Sequence, residues 1–167
     1  AVVESSKNHL VIDNNTKRNL ELTETVRLRE RTYSLLWLLD KNKTAMGSRL
    51  LKQNLENPLT NQSEIERRLD FVQKLRVEFI LRDDLKKALD EVYDLERLAG
   101  RICYGNLNAR DLLQLKSSLK VLPTISKILK ELNYDKEIET FLDLYTLLGN
   151  SINEDAPLTL KEGGLIK

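Results

Sequence analysis

From Ser34 onward, apolar residues recur at helical spacing for more than a hundred residues, and this one property excludes most folds. A sheet protein needs period-two alternation over many short segments, and a membrane span needs ~18 or more consecutive apolar residues; the chain offers neither. Only 6 Gly and 3 Pro stand among 167 residues, so few positions interrupt a helix. The expected fold is mainly α: an elongated multi-helix bundle with short β segments near both termini.

The local signals refine that expectation. His9-Leu10-Val11-Ile12-Asp13 is β-prone and ends in Asp13-Asn14-Asn15, so it reads as a strand closing in a turn. Residues 19–23 alternate polar with apolar and suit a second short strand or extended segment. A short helix then starts at Ser34, and a joint at residues 40–43 leads into a helix over 45–57. Thr44 is a favoured N-cap type, and Pro58 forbids continuation. A further helix starts at Asn61 or Ser63 and carries Ile65, Leu69, Val72 and Leu75 on one stripe, widened by Phe71 and Phe79. Arg82-Asp83-Asp84 reads as a break. The period then resumes from Leu85 through Leu89, Val92, Leu95, Leu98 and Ile102 to a C-terminal cap at Gly105. Asn108 and Asp111 have the spacing of a capping box, opening a helix that bears Leu112, Leu115, Leu119 and Leu122. Pro123 fits the first turn of the next helix, ending near Asn133. A last helix over residues 135–148 stops at Gly149, and residues 157–166 read as a strand and turn leading elsewhere. The expected organisation is an N-terminal strand or extended segment (1–33), a helical core (34–149) and an extended tail (150–167), all within one partial domain.

Chemistry is sparse. Gly47-Ser48-Arg49-Leu50-Leu51-Lys52 lacks the second glycine and the Lys-Ser/Thr pair of a phosphate loop, and a helix interior has no free N–H groups to cradle phosphate. Gly47 is better read as a point of close approach between helices. His9 is the one histidine and has no partner motif for a metal or a Ser-His pair. Cys103 is the one cysteine, which fits a reducing, cytoplasmic setting, and no signal or spanning segment is visible. No catalytic, cofactor-binding or metal-ligating residue is expected. The 27 basic and 26 acidic residues give a formal charge of +1, which argues against tight autonomous binding to nucleic acid. Lys17, Arg18, Arg27, Arg29 and Arg31 cluster before the first helix with Glu24 and Glu30 among them, a candidate for weak phosphate contacts, with a solvated face or an interface with another domain's acidic surface the preferred reading.

The stretch with most to say about function is residues 34–59, where Leu35, Leu36, Trp37, Leu38, Leu39 and Met46 are expected to crowd around a joint. Trp37, Asp40, Thr44, Met46, Gly47, Arg49 and Pro58 are its candidate structural residues. A segment rich in packing and poor in reactive groups reads as a mechanical part.

Four segments in order, residues 15–23, 34–59, 92–102 and 157–166, resemble the core or lever domain of the bacterial MutS mismatch-repair family. Residues 108–112 and Leu122-Pro123 add to the match, which runs from about His9 to the last residue. The resemblance implies a piece of a multidomain homodimer. In that family an N-terminal domain reads the mismatch, a connector follows, the lever joins both to an ABC-type ATPase, and a clamp domain interrupts the lever. ATP with magnesium, mismatched double-stranded DNA and MutL are the implied cofactor and partners of the full-length protein, with none of that chemistry inside this segment. The implied role is to couple mismatch binding to the ATPase. One departure is visible: the family commonly has Trp in the helix before Pro58, whereas Asn54 stands here. A self-standing helical interaction module, a weak DNA-backbone binder and a paralogue outside mismatch repair remain as rival readings.

Overall fold

The computed structural model describes residues 8–157 and 163–167. Eight helices run through the described residues: α1 (Asn14–Asn19), α2 (Leu35–Leu39), α3 (Ala45–Glu56), α4 (Gln62–Val77), α5 (Phe79–Asp90), α6 (Leu95–Cys103), α7 (Ala109–Glu131) and α8 (Leu142–Ser151). The fold is mainly helical, as the spacing predicts. The chain divides into two units, Ala1–Lys74 and Leu75–Lys167.

In the first unit neither expected strand forms: residues 10–13 carry no regular structure, and residues 19–23 are helix end and turn. His9 makes a single antiparallel bridge with Leu59, flanked by Leu10 N–H donating to the Pro58 carbonyl at 2.8 Å and Thr60 N–H to the Asn8 carbonyl at 2.9 Å. Pairing ends there because Asp13 caps a helix: its carboxylate accepts from Asn15 N–H at 2.9 Å, Thr16 N–H at 3.0 Å and the Thr16 hydroxyl at 2.6 Å. Asp-Asn-Asn serves a turn and a helix start equally well, because the same short side chains bond nearby backbone in both. Residues 19–23 are likewise the end of α1 and the turn after it, with Glu21 at φ +48°. Asn61 is the cap of α4, its side-chain oxygen accepting from Glu64 N–H at 3.1 Å. The α4 stripe is not buried within this unit, since Leu69 and Val72 are both exposed.

The second unit is built on α7, which packs against α5, α6 and α8. Its 23 residues bury Leu119, Val121, Leu122, Ile125 and Ile128, and the core is completed by Ala88, Leu148, Ile152 and Ala156. Pro123 lies inside α7 and does not open a new helix. A proline there forfeits one hydrogen bond, but the buried stripe runs through both sides of it, and that burial outweighs the local cost. The local signals mislead at three further places. Arg82-Asp83-Asp84 sits within α5, and the real interruption is at Glu78 (φ −82°, ψ 61°), where no Gly, Pro or cap residue marks it. The run from Leu85 to Gly105 is broken at residues 91–94. There Asp94 caps α6 by accepting from Arg97 N–H at 3.2 Å, and the buried Ser118 hydroxyl accepts from Tyr93 N–H at 2.9 Å. Residues 135–140 are not helical: α8 starts only after Phe141, which takes a left-handed φ of +49°, and it runs past Gly149 to Ser151.

Asn108 and Asp111 form the expected capping box, with Asp111 N–H bonded to the Asn108 side chain at 2.8 Å and Asn108 N–H to the Asp111 carboxylate at 3.1 Å. Arg101 adds an ion pair to Asp111 at 2.5 Å. At the C-terminal end, residues 158–162 of the expected tail strand lie outside the described residues. Ile166 makes one antiparallel bridge with Ile152, and Lys167 N–H donates to the Ser151 carbonyl at 3.0 Å. The β character at both ends is therefore limited to isolated bridges among the described residues.

Ser118 is fully buried, and its hydroxyl also donates to the Gln114 carbonyl at 3.0 Å. Ser118→Ala strips the Tyr93 N–H of its acceptor and is expected to cost about 1–3 kcal/mol in denaturant unfolding. A loss below about 0.5 kcal/mol, the scale of a plain surface change, would contradict this assignment.

Candidate structural joint

The joint between α2 and α3 is assembled from the loop before it as well as from its own residues. Ser34 is the N-cap of α2: its hydroxyl accepts from Trp37 N–H at 3.2 Å and donates to the Arg31 carbonyl at 2.6 Å. Two further N–H groups of the first turn, those of Leu35 and Leu36, donate to the carbonyls of Glu21 at 2.9 Å and Leu22 at 2.8 Å. A five-residue helix is too short to be stable alone. Here its unsatisfied donors are met by the preceding loop, and Leu36 and Leu22 are buried.

Asp40 ends α2 and gathers three separate stretches of chain. Its carboxylate accepts from the Asn42 side chain at 2.8 Å, from Asn42 N–H at 3.2 Å and from the Ser48 hydroxyl at 2.9 Å, and it is ion-paired with Arg31. The loop, the joint and α3 thus meet on one carboxylate whose side chain is only 7% exposed. The Asn42 side-chain bond, then those from Ser48, Asn42 N–H and Arg31, outweigh the opposing effect of burial and hold the Asp40 pKa down at about 2. On the far side of the joint Thr44 caps α3, its hydroxyl accepting from Gly47 N–H at 3.0 Å.

Gly47 is the tightest point. A Cβ there would lie 3.1 Å from the Asn42 side-chain oxygen, 3.1 Å from the Thr44 hydroxyl and 3.3 Å from the Asn42 Cβ. The close approach is therefore to the joint and its cap. Met46 and Arg49 are half-buried on α3, and the Pro58 carbonyl receives the Leu10 N–H. Trp37 is 42% exposed, and its ring lies tilted against that of Tyr33 with the centroids 5.2 Å apart. Leu35, Leu38 and Leu39 are exposed too, so α2 contributes only Leu36 to the interior.

The basic cluster is not one uniform set. Arg31 is committed to Asp40, Lys17 is half-buried on α1, and Arg18, Arg27 and Arg29 are exposed, Arg29 with a left-handed φ of +54°. The residues missed by sequence reasoning are Asn42 and Ser48. The Asp-x-Asn pattern of an Asx turn marks the first, but nothing local points from Asp40 to a hydroxyl eight residues away.

A depressed carboxylate pKa in the folded state means that this stabilisation is complete above the ordinary value of 3.8 and is lost as pH falls through about 2. Acid titration of stability should therefore show a component over that window that Asp40→Asn removes. An unchanged acid profile in the variant would contradict the assignment of this node.

With that geometry in place, comparison with known proteins identifies the class. A family model described as MutS domain III matches residues 15–167. The chain is 52% identical over 162 residues to the DNA mismatch repair protein MutS of Bacillus velezensis, covering 93% of this chain and 19% of that protein. It is 51% identical over 162 residues to the protein of the same name from Bacillus subtilis, again covering 93% and 19%. The chain belongs to the MutS domain III family. It spans 19% of the length of these curated relatives, and no helix among the described residues is long and apolar enough to cross a membrane.

Proposed function

We propose that this chain is the lever segment of a cytoplasmic DNA mismatch-repair protein and transmits structural change between DNA-binding and ATP-hydrolysing parts outside it. The Asp40 node carries this reading. One carboxylate fixes the loop through Arg31, the joint through Asn42 and α3 through Ser48, so that a displacement of any of the three is felt by the other two. Coupling between distant sites needs such a packed element with discrete arrangements. The second unit has a long rod of its own: at ~1.5 Å per residue, the 23 residues of α7 span roughly 35 Å.

On this reading the segment performs no catalysis. ATP and magnesium belong to another domain of the full-length protein, mismatched DNA and MutL are met by the assembled homodimer, and the connector, clamp and ATPase domains are the immediate neighbours. Arg31 serves the joint, while Arg18, Arg27 and Arg29 face solvent or a neighbouring domain. The family match and the names of the Bacillus relatives support this reading. It is tested in a full-length protein carrying this segment, by asking whether Gly47→Leu separates DNA-stimulated nucleotide exchange from mismatch binding.

A further inference from the structure

The first unit contains a cleft of about 410 Å³ unrelated to the Asp40 node, lined by residues 9–12, Lys17, one face of α3 and Arg68 of α4. Its composition is one-sided. Lys17 and Arg68 are its two charged residues, and no carboxylate lines it. Neither cation has an ion pair among the described residues, in a chain whose acidic and basic residues are almost equal in number. Beside these cations lie the aliphatic side chains of Leu10, Val11 and Leu50, which are 52%, 84% and 57% exposed. Asn54 is half-buried on the α3 wall.

The geometry points to a docking cleft for an acidic, aliphatic peptide segment, with carboxylates held by Lys17 and Arg68 and leucine-like side chains covering Leu10, Val11 and Leu50. Charge complementarity selects an anion, because two unpaired cations share a concave surface with no acid among its lining residues. The aliphatic wall selects a peptide over a nucleic-acid backbone: a phosphodiester chain has no apolar side groups with which to cover three exposed aliphatic residues, whereas alternating acidic and aliphatic side chains satisfy both halves of the cleft. This site goes beyond the lever reading and does not depend on it.

The test is amide chemical-shift mapping of the isotope-labelled 167-residue chain with a synthetic peptide of alternating leucine and glutamate. Shifts are expected at Leu10, Lys17, Leu50, Asn54 and Arg68. Affinity should fall about ten-fold when the peptide carries glutamine in place of glutamate, and by a similar factor in a Lys17→Glu, Arg68→Glu variant whose other amides are unmoved. Asn54→Trp, which leaves both cations in place but fills the α3 wall, should also abolish the shifts. Equal affinity for the two peptides, absence of shifts at these residues, or tighter binding of a mixed-sequence DNA duplex at the same amides would each overturn the proposal.

Discussion

Leu132→Ala should cost about 3 kcal/mol of stability, among the largest effects expected of any single side-chain truncation in this chain. Leu132 follows α7 directly and has no solvent exposure, and its N–H still closes the helix by donating to the Ile128 carbonyl at 3.0 Å. Removing its side chain withdraws the transfer free energy of the lost methyl and methylene groups and leaves a cavity that surrounding atoms fill only in part. Denaturant unfolding of the variant measures this, with Val11→Ala as the internal comparison. Val11 is 84% exposed, and its truncation should fall within about 0.5 kcal/mol of the parent. Similar losses in both variants would mean that the packing around the end of α7 is wrongly described.

Gly47→Leu is expected to be the most damaging change at the joint. The first side-chain carbon alone would sit 3.1 Å from both the Asn42 oxygen and the Thr44 hydroxyl, and a leucine adds three more carbons behind it. Either Asn42 moves, which strips Asp40 of its shortest bond within the joint, or Thr44 moves, which uncaps α3. Crowding of this kind costs about 1–3 kcal/mol, and a lost N-cap about 1 kcal/mol. The gain in helix propensity on replacing glycine, up to ~1 kcal/mol, offsets only part of that. The proposed lever role predicts a mechanical consequence as well: the contacts that join three stretches of chain at Asp40 would be loosened.

The helical character and the two best caps, at Thr44 and at Asn108 with Asp111, are legible in the sequence because each depends on residues within four positions of one another. What is not legible depends on longer range. Pro123 looks like a boundary because its local cost is fixed, whereas the burial that overrides it comes from α5, α6 and α8. The break at residues 91–94 is written partly in Asp94 and partly in Ser118, twenty-five residues from the amide it receives. Asp13-Asn14-Asn15 encodes a turn or a helix start with the same atoms, and only the fate of the following residues decides between them. At the joint, Thr44, Gly47 and Asp40 are visible as types. Their common meeting point is not, because the Arg31–Asp40 and Ser48–Asp40 contacts bridge separate segments. Trp37 shows the converse: a large aromatic in an apolar run suggests a buried anchor, yet the structure leaves it beside Tyr33 and partly in solvent.

The most direct test of the joint as a coupling element is DNA-stimulated nucleotide exchange in a full-length protein carrying this segment, measured alongside mismatch affinity in the parent, Gly47→Leu and the milder Asp40→Asn. The account predicts that both variants fold and bind mismatched DNA while their exchange rate responds weakly or not at all to that DNA, Gly47→Leu more severely. Exchange that responds to mismatched DNA as fully in both variants as in the parent would contradict it.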